Sequence, residues 1–173
     1  MARIARVVGI DPGITGAVVV LHAESGELAR AIRTPVLMDK TKKVYDLGLM
    51  REVLRSAHRD AEKEKGTTIV GLEKVHSLPR DGRVGAFRFG MGYGMWQGLL
   101  SGSFLPYTEV TPQRWQGRML AGHPRGTHTK TSAVTVAKNL FPTIPIEHKA
   151  DWGMADAALI AEYTRREHRG GEV

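Results

Sequence analysis

Four acidic residues stand where a carboxylate could do more than face water. Asp11 ends the apolar run "RVVGID" and is followed at once by Pro12 and Gly13. Glu73 falls near the end of a second apolar run, "TTIVGLEKV" (67–75). Asp151 and Asp156 frame the start of the last predicted helix, in "HKADWGMADAAL". Four carboxylates gathered without countercharge repel one another strongly. A divalent ion relieves that repulsion, and hard oxygen ligands select Mg²⁺ or Mn²⁺ over zinc. Two such ions roughly 3.5–4 Å apart form the usual clamp for phosphodiester cleavage. Each acid also has an ordinary role open to it. Asp before Pro-Gly shapes turns, a late strand Glu can be a solvated edge charge, and Asp at a helix start caps it. Taken singly those roles suffice; taken together, in a basic chain, the four acids favour a site.

The elements predicted around these acids could bring them together. "RVVGI" (6–10), "AVVVLHA" (17–23) and "LARAIRT" (28–34) read as strands joined by the short turns "DPGITG" and "ESGE", which predicts an antiparallel meander. Leu47, Met50, Val53, Leu54 and Ala57 recur at helical spacing, and Gly66 stops that helix before the strand 67–75. A strand, a helix and a strand in succession form a crossover, so the strand carrying Glu73 should run parallel to an earlier one. Asp11 and Glu73 would then emerge at the same carboxyl edge, where open α/β sheets place their sites. Helices are expected within 76–103, at 111–120 with Thr111 as N-cap, at 130–141 and at 154–168, with a short strand at 105–110. Asp151 and Asp156 are five residues apart, ~140° of helical rotation, so both face one point only if Gly153 breaks the path between them. Ala155, Ala157, Ala158 and Ala161 would let the last helix pack close to the sheet.

Length and composition fit this reading. The 173 residues suit one α/β domain over 1–173, with 42% hydrophobic and 25% charged residues. There is no cysteine, which excludes a disulfide framework and a Cys-based zinc site. Lys and Arg outnumber Asp and Glu by 25 to 18, a net +7, which suits either a polyanionic partner or simple solubility. No apolar run reaches the ~18 residues of a membrane span. "MARIARVV" runs straight into a strand pattern, so neither a signal nor a transit peptide is expected, and the expected location is cytoplasmic.

The motifs "GIDPGITG", "VGLEKV" and "HKADWGMADAALIA" together resemble those of the RuvC-type Holliday junction resolvases of the ribonuclease H-like superfamily. The likeness spans residue 6 to about 163. The five-residue spacing of "DWGMAD" is similar to the chloroplast-type and phage resolvases; bacterial RuvC usually has its last two metal-binding positions three apart. The resemblance implies a ribonuclease H-like α/β fold. Its sheet would be mixed and five-stranded, antiparallel over the first three strands and parallel thereafter, with helices on both faces. It implies a homodimer that nicks symmetric strands of a four-way DNA junction, using Mg²⁺ or Mn²⁺ (two ions per site) held by Asp11, Glu73, Asp151 and Asp156. Lys130, in "TKTSAVTVAKNLFP", falls where the chloroplast-type relatives carry an active-site lysine.

Arginines suit phosphates, and exposed aromatics can stack on opened base steps. "HSLPRDGRVGAFRFG" therefore nominates Arg80, Arg83, Phe87 and Arg88 for DNA binding, while Phe89 is expected in the core. Arg118, Arg125 and His128 form a second candidate phosphate surface beside Lys130. Trp115 reads as core and "MDKTKK" (38–43) as a basic loop. Gly90, Gly94, Gly98 and Gly102 recur every four residues. Each costs roughly 1 kcal/mol against Ala in a helix, so the stripe implies close approach, either to the sheet or to a partner helix. Two other activities share parts of this pattern: a ribonuclease H-like nuclease for flaps or RNA–DNA hybrids, and an actin-like phosphotransferase fragment.

Overall fold

The computed structural model describes residues 3–74 and 82–169. The chain begins with three strands, β1 (Ile4–Asp11), β2 (Ala17–His22) and β3 (Leu28–Arg33). A two-stranded hairpin, β4 (Val36–Asp39) and β5 (Lys42–Tyr45), leads into helix α1 (Leu47–Lys63). Strand β6 (Thr67–Glu73), helix α2 (Gly82–Gly102) and strand β7 (Tyr107–Val110) follow. Three helices complete the chain: α3 (Pro112–Met119), α4 (Thr129–Leu140) and α5 (Trp152–Arg169). Short 3₁₀ turns precede α4 and α5, at Gly126–His128 and Lys149–Asp151.

The five-stranded sheet has the order β3-β2-β1-β6-β7. β1, β2 and β3 are antiparallel to one another in sequence, and β6 and β7 add in parallel to β1. This is the mixed sheet the turns and the crossover predict. Both faces are covered. Val18 and Val20 of β2 point into a core with Met50, Val53 and Leu54 of α1 and Trp96 and Leu100 of α2. Ala17, Val19 and Leu21 point the other way, into a core with Trp115, Ala133, Val136 and the apolar residues of α5. Strand alternation thus makes β2 the wall between two cores.

Helix α1 starts where Asp46 accepts a hydrogen bond from the Leu49 N–H at 2.9 Å, and it buries Met50, Val53, Leu54 and Ala57 of the predicted stripe while leaving Leu47 exposed. Thr111 does precede α3, with Pro112 in its first turn, but the threonine side chain makes no cap bond.

Helix α5 is buried continuously from Gly153 to Thr164. It lies unusually near the sheet because two glycines, Gly9 of β1 and Gly71 of β6, are side-by-side register partners. A Cβ on Gly9 would stand 2.1 Å from the Ala157 carbonyl oxygen and 2.8 Å from the Ala161 methyl. One on Gly71 would stand 2.1 Å from the Thr164 hydroxyl. A third close approach, at Gly153, seats the start of α5 against the turn after β1; a Cβ there would be 2.6 Å from the Thr15 carbonyl oxygen.

One expectation changes, and one of two open alternatives closes. Residues 38–43 form no loop but most of the β4–β5 hairpin, which pairs only with itself. Its two-residue turn carries Lys40 in the left-handed region, φ 55. The glycine stripe of α2 does not approach the sheet. A Cβ on Gly90, Gly94, Gly98 or Gly102 would meet nothing within 4 Å, and all four are exposed.

The close approach predicts an order of costs. Gly9→Ala pushes against fixed helix backbone and should destabilise by about 1–3 kcal/mol, as overpacking does. Gly71→Ala meets a side chain and should cost less. Urea denaturation of both variants checks this, and equal midpoints would contradict the packing.

Candidate active site

Asp11 and Glu73 are the last residues of β1 and β6, parallel neighbours, so both acids leave the sheet at its carboxyl edge. Asp11 keeps its turn role: its Oδ1 accepts the Gly13 N–H at 3.2 Å, and Gly16 N–H closes on the Gly13 carbonyl at 2.8 Å. Asp156 lies in the early turns of α5, 4% exposed, and is brought to the same edge by the glycine contacts beneath that helix. Lys130, in the first turn of α4, donates from Nζ to Asp156 Oδ2.

Burial, then the charge of Asp156, push the Asp11 carboxyl up to about 6, against the opposing pull of Lys130 and the Gly13 N–H. Burial, then the charge of Asp11, push Glu73 up to about 8. Burial raises Asp156 too, with Lys130 pulling the other way. For Lys130, burial works to lower the pKa, but the charge and bond of Asp156, then Asp11 and Glu73, hold it raised. These are the signs of carboxylates forced together with too little positive charge.

Asp151 is elsewhere. Its Oδ1 accepts from Arg33 Nε at 2.7 Å and pairs with Nη2 at 2.5 Å, while Oδ2 accepts the N–H groups of His148 at 2.9 Å and Glu147 at 3.2 Å. The His148 N–H and Arg33 hold its carboxyl below the usual range. Asp151 thus clips the end of β3 to the start of α5. The structure brings Asp11, Glu73, Asp156 and Lys130 together and leaves Asp151 in a separate, fully satisfied pair.

The donor chemistry of the three acids fits a hard divalent cation: carboxylate oxygens of buried Asp156 and half-buried Asp11 and Glu73, no soft ligand, and more acids than one lysine can offset. Among the described residues, no group of three or more His, Cys, Asp or Glu side chains is placed to hold a metal ion as the side chains stand. Lys130 holds one oxygen of Asp156 instead.

Three contributors were not evident in the sequence. Trp115 is in the core as expected, yet its indole N–H also donates to Glu73 Oε1 at 2.9 Å. A buried indole needs an acceptor, and that requirement is the one signal available. Tyr45, at the foot of the hairpin, donates to the Pro12 carbonyl at 3.3 Å, and burial and Asp11 push its hydroxyl up to about 12. Glu109 of β7 collects Tyr93 and Gln97 of α2 and Lys74, the residue after Glu73.

Of the DNA-binding candidates, Arg80 lies outside the described residues. Arg83, Phe87 and Arg88 are exposed on the first half of α2, Phe87 at 71%. Phe89 is also exposed, at 40%, and faces the turn after Asp11: a Cβ on Gly13 would be 3.7 Å from its ring. Arg125 and His128 are exposed around the 3₁₀ turn before α4. Arg118 is engaged with Glu167 of α5.

This strand order, with helices on both faces and acids at the carboxyl edge of the two central strands, is the ribonuclease H-like fold. Within it, the chain is similar to the RuvC structure of Thermus thermophilus, with 20% identity, 96% of each chain covered and a TM-score of 0.64. The T. thermophilus RuvC in complex with Holliday junction substrate matches with 15% identity, the same coverage and a TM-score of 0.64. No family model and no curated protein matches the chain by sequence. At such identities the likeness is one of fold. The narrower likeness to chloroplast-type and phage resolvases rests on sequence motifs, the spacing of "DWGMAD" and the Gly-rich segment of α2, and neither solved structure bears on it.

The raised carboxyls predict how metal-free stability depends on pH. Asp11 and Glu73 hold protons in the folded state up to about 6 and about 8, whereas unfolded carboxyls release them near 4. The folded state therefore binds more protons between those limits, and stability falls as pH rises through them. In chelator, the melting temperature should drop from about pH 5 to about pH 8.5. The pair D11N/E73Q should flatten the trend. A melting temperature that rises across this window in the wild type would contradict the assignment.

Proposed function

We propose that the chain is a structure-selective DNA endonuclease that resolves four-way junctions by paired metal-dependent nicks. The observation that carries this is the group Asp11, Glu73, Asp156 and Lys130 at the carboxyl edge of a ribonuclease H-like sheet. The similarity to a RuvC solved with a Holliday junction substrate supports the choice of substrate.

In this reading Asp11, Glu73 and Asp156 would hold Mg²⁺ or Mn²⁺, which when bound activates water and stabilises the leaving oxygen. Of the four acids from which two ions were expected, Asp151 serves instead to position α5 through Arg33. Trp115 orients Glu73. Among the described residues Lys130 bonds Asp156 alone, and it can turn its charge toward a scissile phosphate. Arg83, Phe87 and Arg88 on α2, and Arg125 and His128 before α4, are exposed and would meet the backbone of the substrate. Arg118, tied to Glu167, has the weakest claim.

Asp11→Asn should reduce nicking by more than about 100-fold, beyond the 10–100-fold typical of partners outside the metal's own ligands, and leave junction binding largely intact. Wild-type protein should cut a mobile four-way junction in preference to a flap or an RNA–DNA hybrid, in either Mg²⁺ or Mn²⁺. Equal cleavage of all three would favour the general ribonuclease H-like reading. Undiminished cleavage in excess chelator would exclude the metal.

The bare face of α2 supports a homodimer. Four glycines costing roughly 1 kcal/mol each against Ala face open space, beside exposed Phe87 and Met91. A second copy of this helix is the partner that restores close backbone contact. G94L/G98L should convert dimer to monomer in light scattering while leaving the melting temperature of the subunit unchanged or higher, since Leu is the better helix former. A wild-type monomer, or a variant that still dimerises, would contradict the assignment.

A further inference from the structure

Apart from Tyr45 at its foot, the β4–β5 hairpin has no role among the contacts described so far. It begins directly after Arg33, whose register partner across β2 is Ala17, itself the partner of Asp11. The hairpin therefore springs from the same edge of the sheet as the catalytic acids. Its foot is fixed. The Thr34 N–H donates to the Gly16 carbonyl at 2.9 Å, the Asp46 N–H to the Pro35 carbonyl at 3.0 Å, and buried Tyr45 reaches the Pro12 carbonyl. Beyond the foot it projects freely, with Leu37, Met38, Lys40, Lys42, Lys43 and Val44 all exposed.

Exposed cations on this surface divide into those paired with carboxylates and those, such as Arg51, Arg55, Lys138 and the hairpin lysines, with no ion pair among the described residues. Arg3, Arg30, Arg59, Lys63 and Arg166 are all paired with carboxylates. Lys40, Lys42 and Lys43 make no ion pair among the described residues, although Asp39 is the cross-strand neighbour of Lys42. An isolated two-stranded ribbon is marginal in water, and three uncompensated lysines at its end repel one another. Such a ribbon gains from a polyanion laid along it. The basic face also continues onto α2: Gly92 packs against the Tyr45 hydroxyl, and Arg88, one turn earlier on the same helix face, is exposed.

We infer that this hairpin is a DNA-backbone clamp, in which Lys40, Lys42 and Lys43 hold the phosphates of the duplex arm leaving the active-site edge on the β3 side. The inference rests on the nuclease reading above. The contacts are to phosphates, so they add affinity and orientation without sequence preference.

Fluorescence anisotropy with a labelled four-way junction, over a series of KCl concentrations, tests it. Each phosphate contact contributes roughly 0.9 to the slope of log affinity against log salt. K40A/K42A/K43A should therefore lower that slope by about 2–3, and K40R/K42R/K43R should restore it. K63A/K138A, which removes two cations outside the proposed surfaces, should leave the slope unchanged. A wild-type slope retained in K40A/K42A/K43A, or an equal fall in K63A/K138A, would overturn the clamp while leaving the nuclease reading intact. A change of oligomeric state in the alanine variant without a change of slope would also overturn it, by assigning the hairpin to a second copy. Wild-type protein that fails to bind the junction at all would overturn the nuclease reading itself.

Discussion

The structure depends on how closely α5 approaches the sheet. Gly9 and Gly71, adjacent across the parallel β1–β6 pair, leave no side chain between the strands and the helix, and Ala157 and Ala161 fill the gap. A normal helix–sheet separation would lift Asp156 away from Asp11 and Glu73. Close packing thus does electrostatic work: it crowds buried Asp156 against half-buried Asp11 and Glu73. Gly153 extends the same contact to the turn after β1, so the turn that orients Asp11 and the helix that carries Asp156 are fixed against each other.

The crowding sets the chemistry. Glu73, pushed up to about 8, and Asp11, pushed up to about 6, are poor anions until a cation joins them. Lys130 neutralises one charge. The neighbouring residues hold the frame rather than the charge: Trp115 fixes Glu73 by one indole bond, and Arg33 and two backbone N–H groups fix Asp151. An acid whose pKa is lowered by satisfied bonds, as in Asp151, differs in kind from acids raised by burial and repulsion. That difference separates the positioning carboxylate from the three in the site.

Much of this was legible in the sequence. The β1–β3 meander followed from Pro-Gly and Ser-Gly turns between β-branched runs, and α1 from its apolar spacing. The edge shared by Asp11 and Glu73 followed from one crossover. The rest depended on contacts distant in sequence. Arg33 and Asp151 are 118 residues apart and nothing local marks them as partners. The hairpin was hidden because Asp39-Lys40-Thr41-Lys42 lacks the Gly or Asn that usually announces a tight turn; Lys40 adopts the left-handed backbone instead. The glycine spacing of α2 showed a stripe but not its direction. Phe89, expected in the core, was misplaced for the same reason: its spacing gave helix, not facing.

The central claim is that Asp11, Glu73 and Asp156 form a site whose surplus negative charge is completed by a divalent ion. Calorimetric titration with Mn²⁺ at about pH 7, in two buffers of different ionisation enthalpy, tests it most directly. Glu73 with its carboxyl up at about 8 must give up its proton to bind metal. The account predicts saturable binding with proton release to the buffer, and a smaller release in Glu73→Gln. Binding without proton release, or no binding at all, would contradict it.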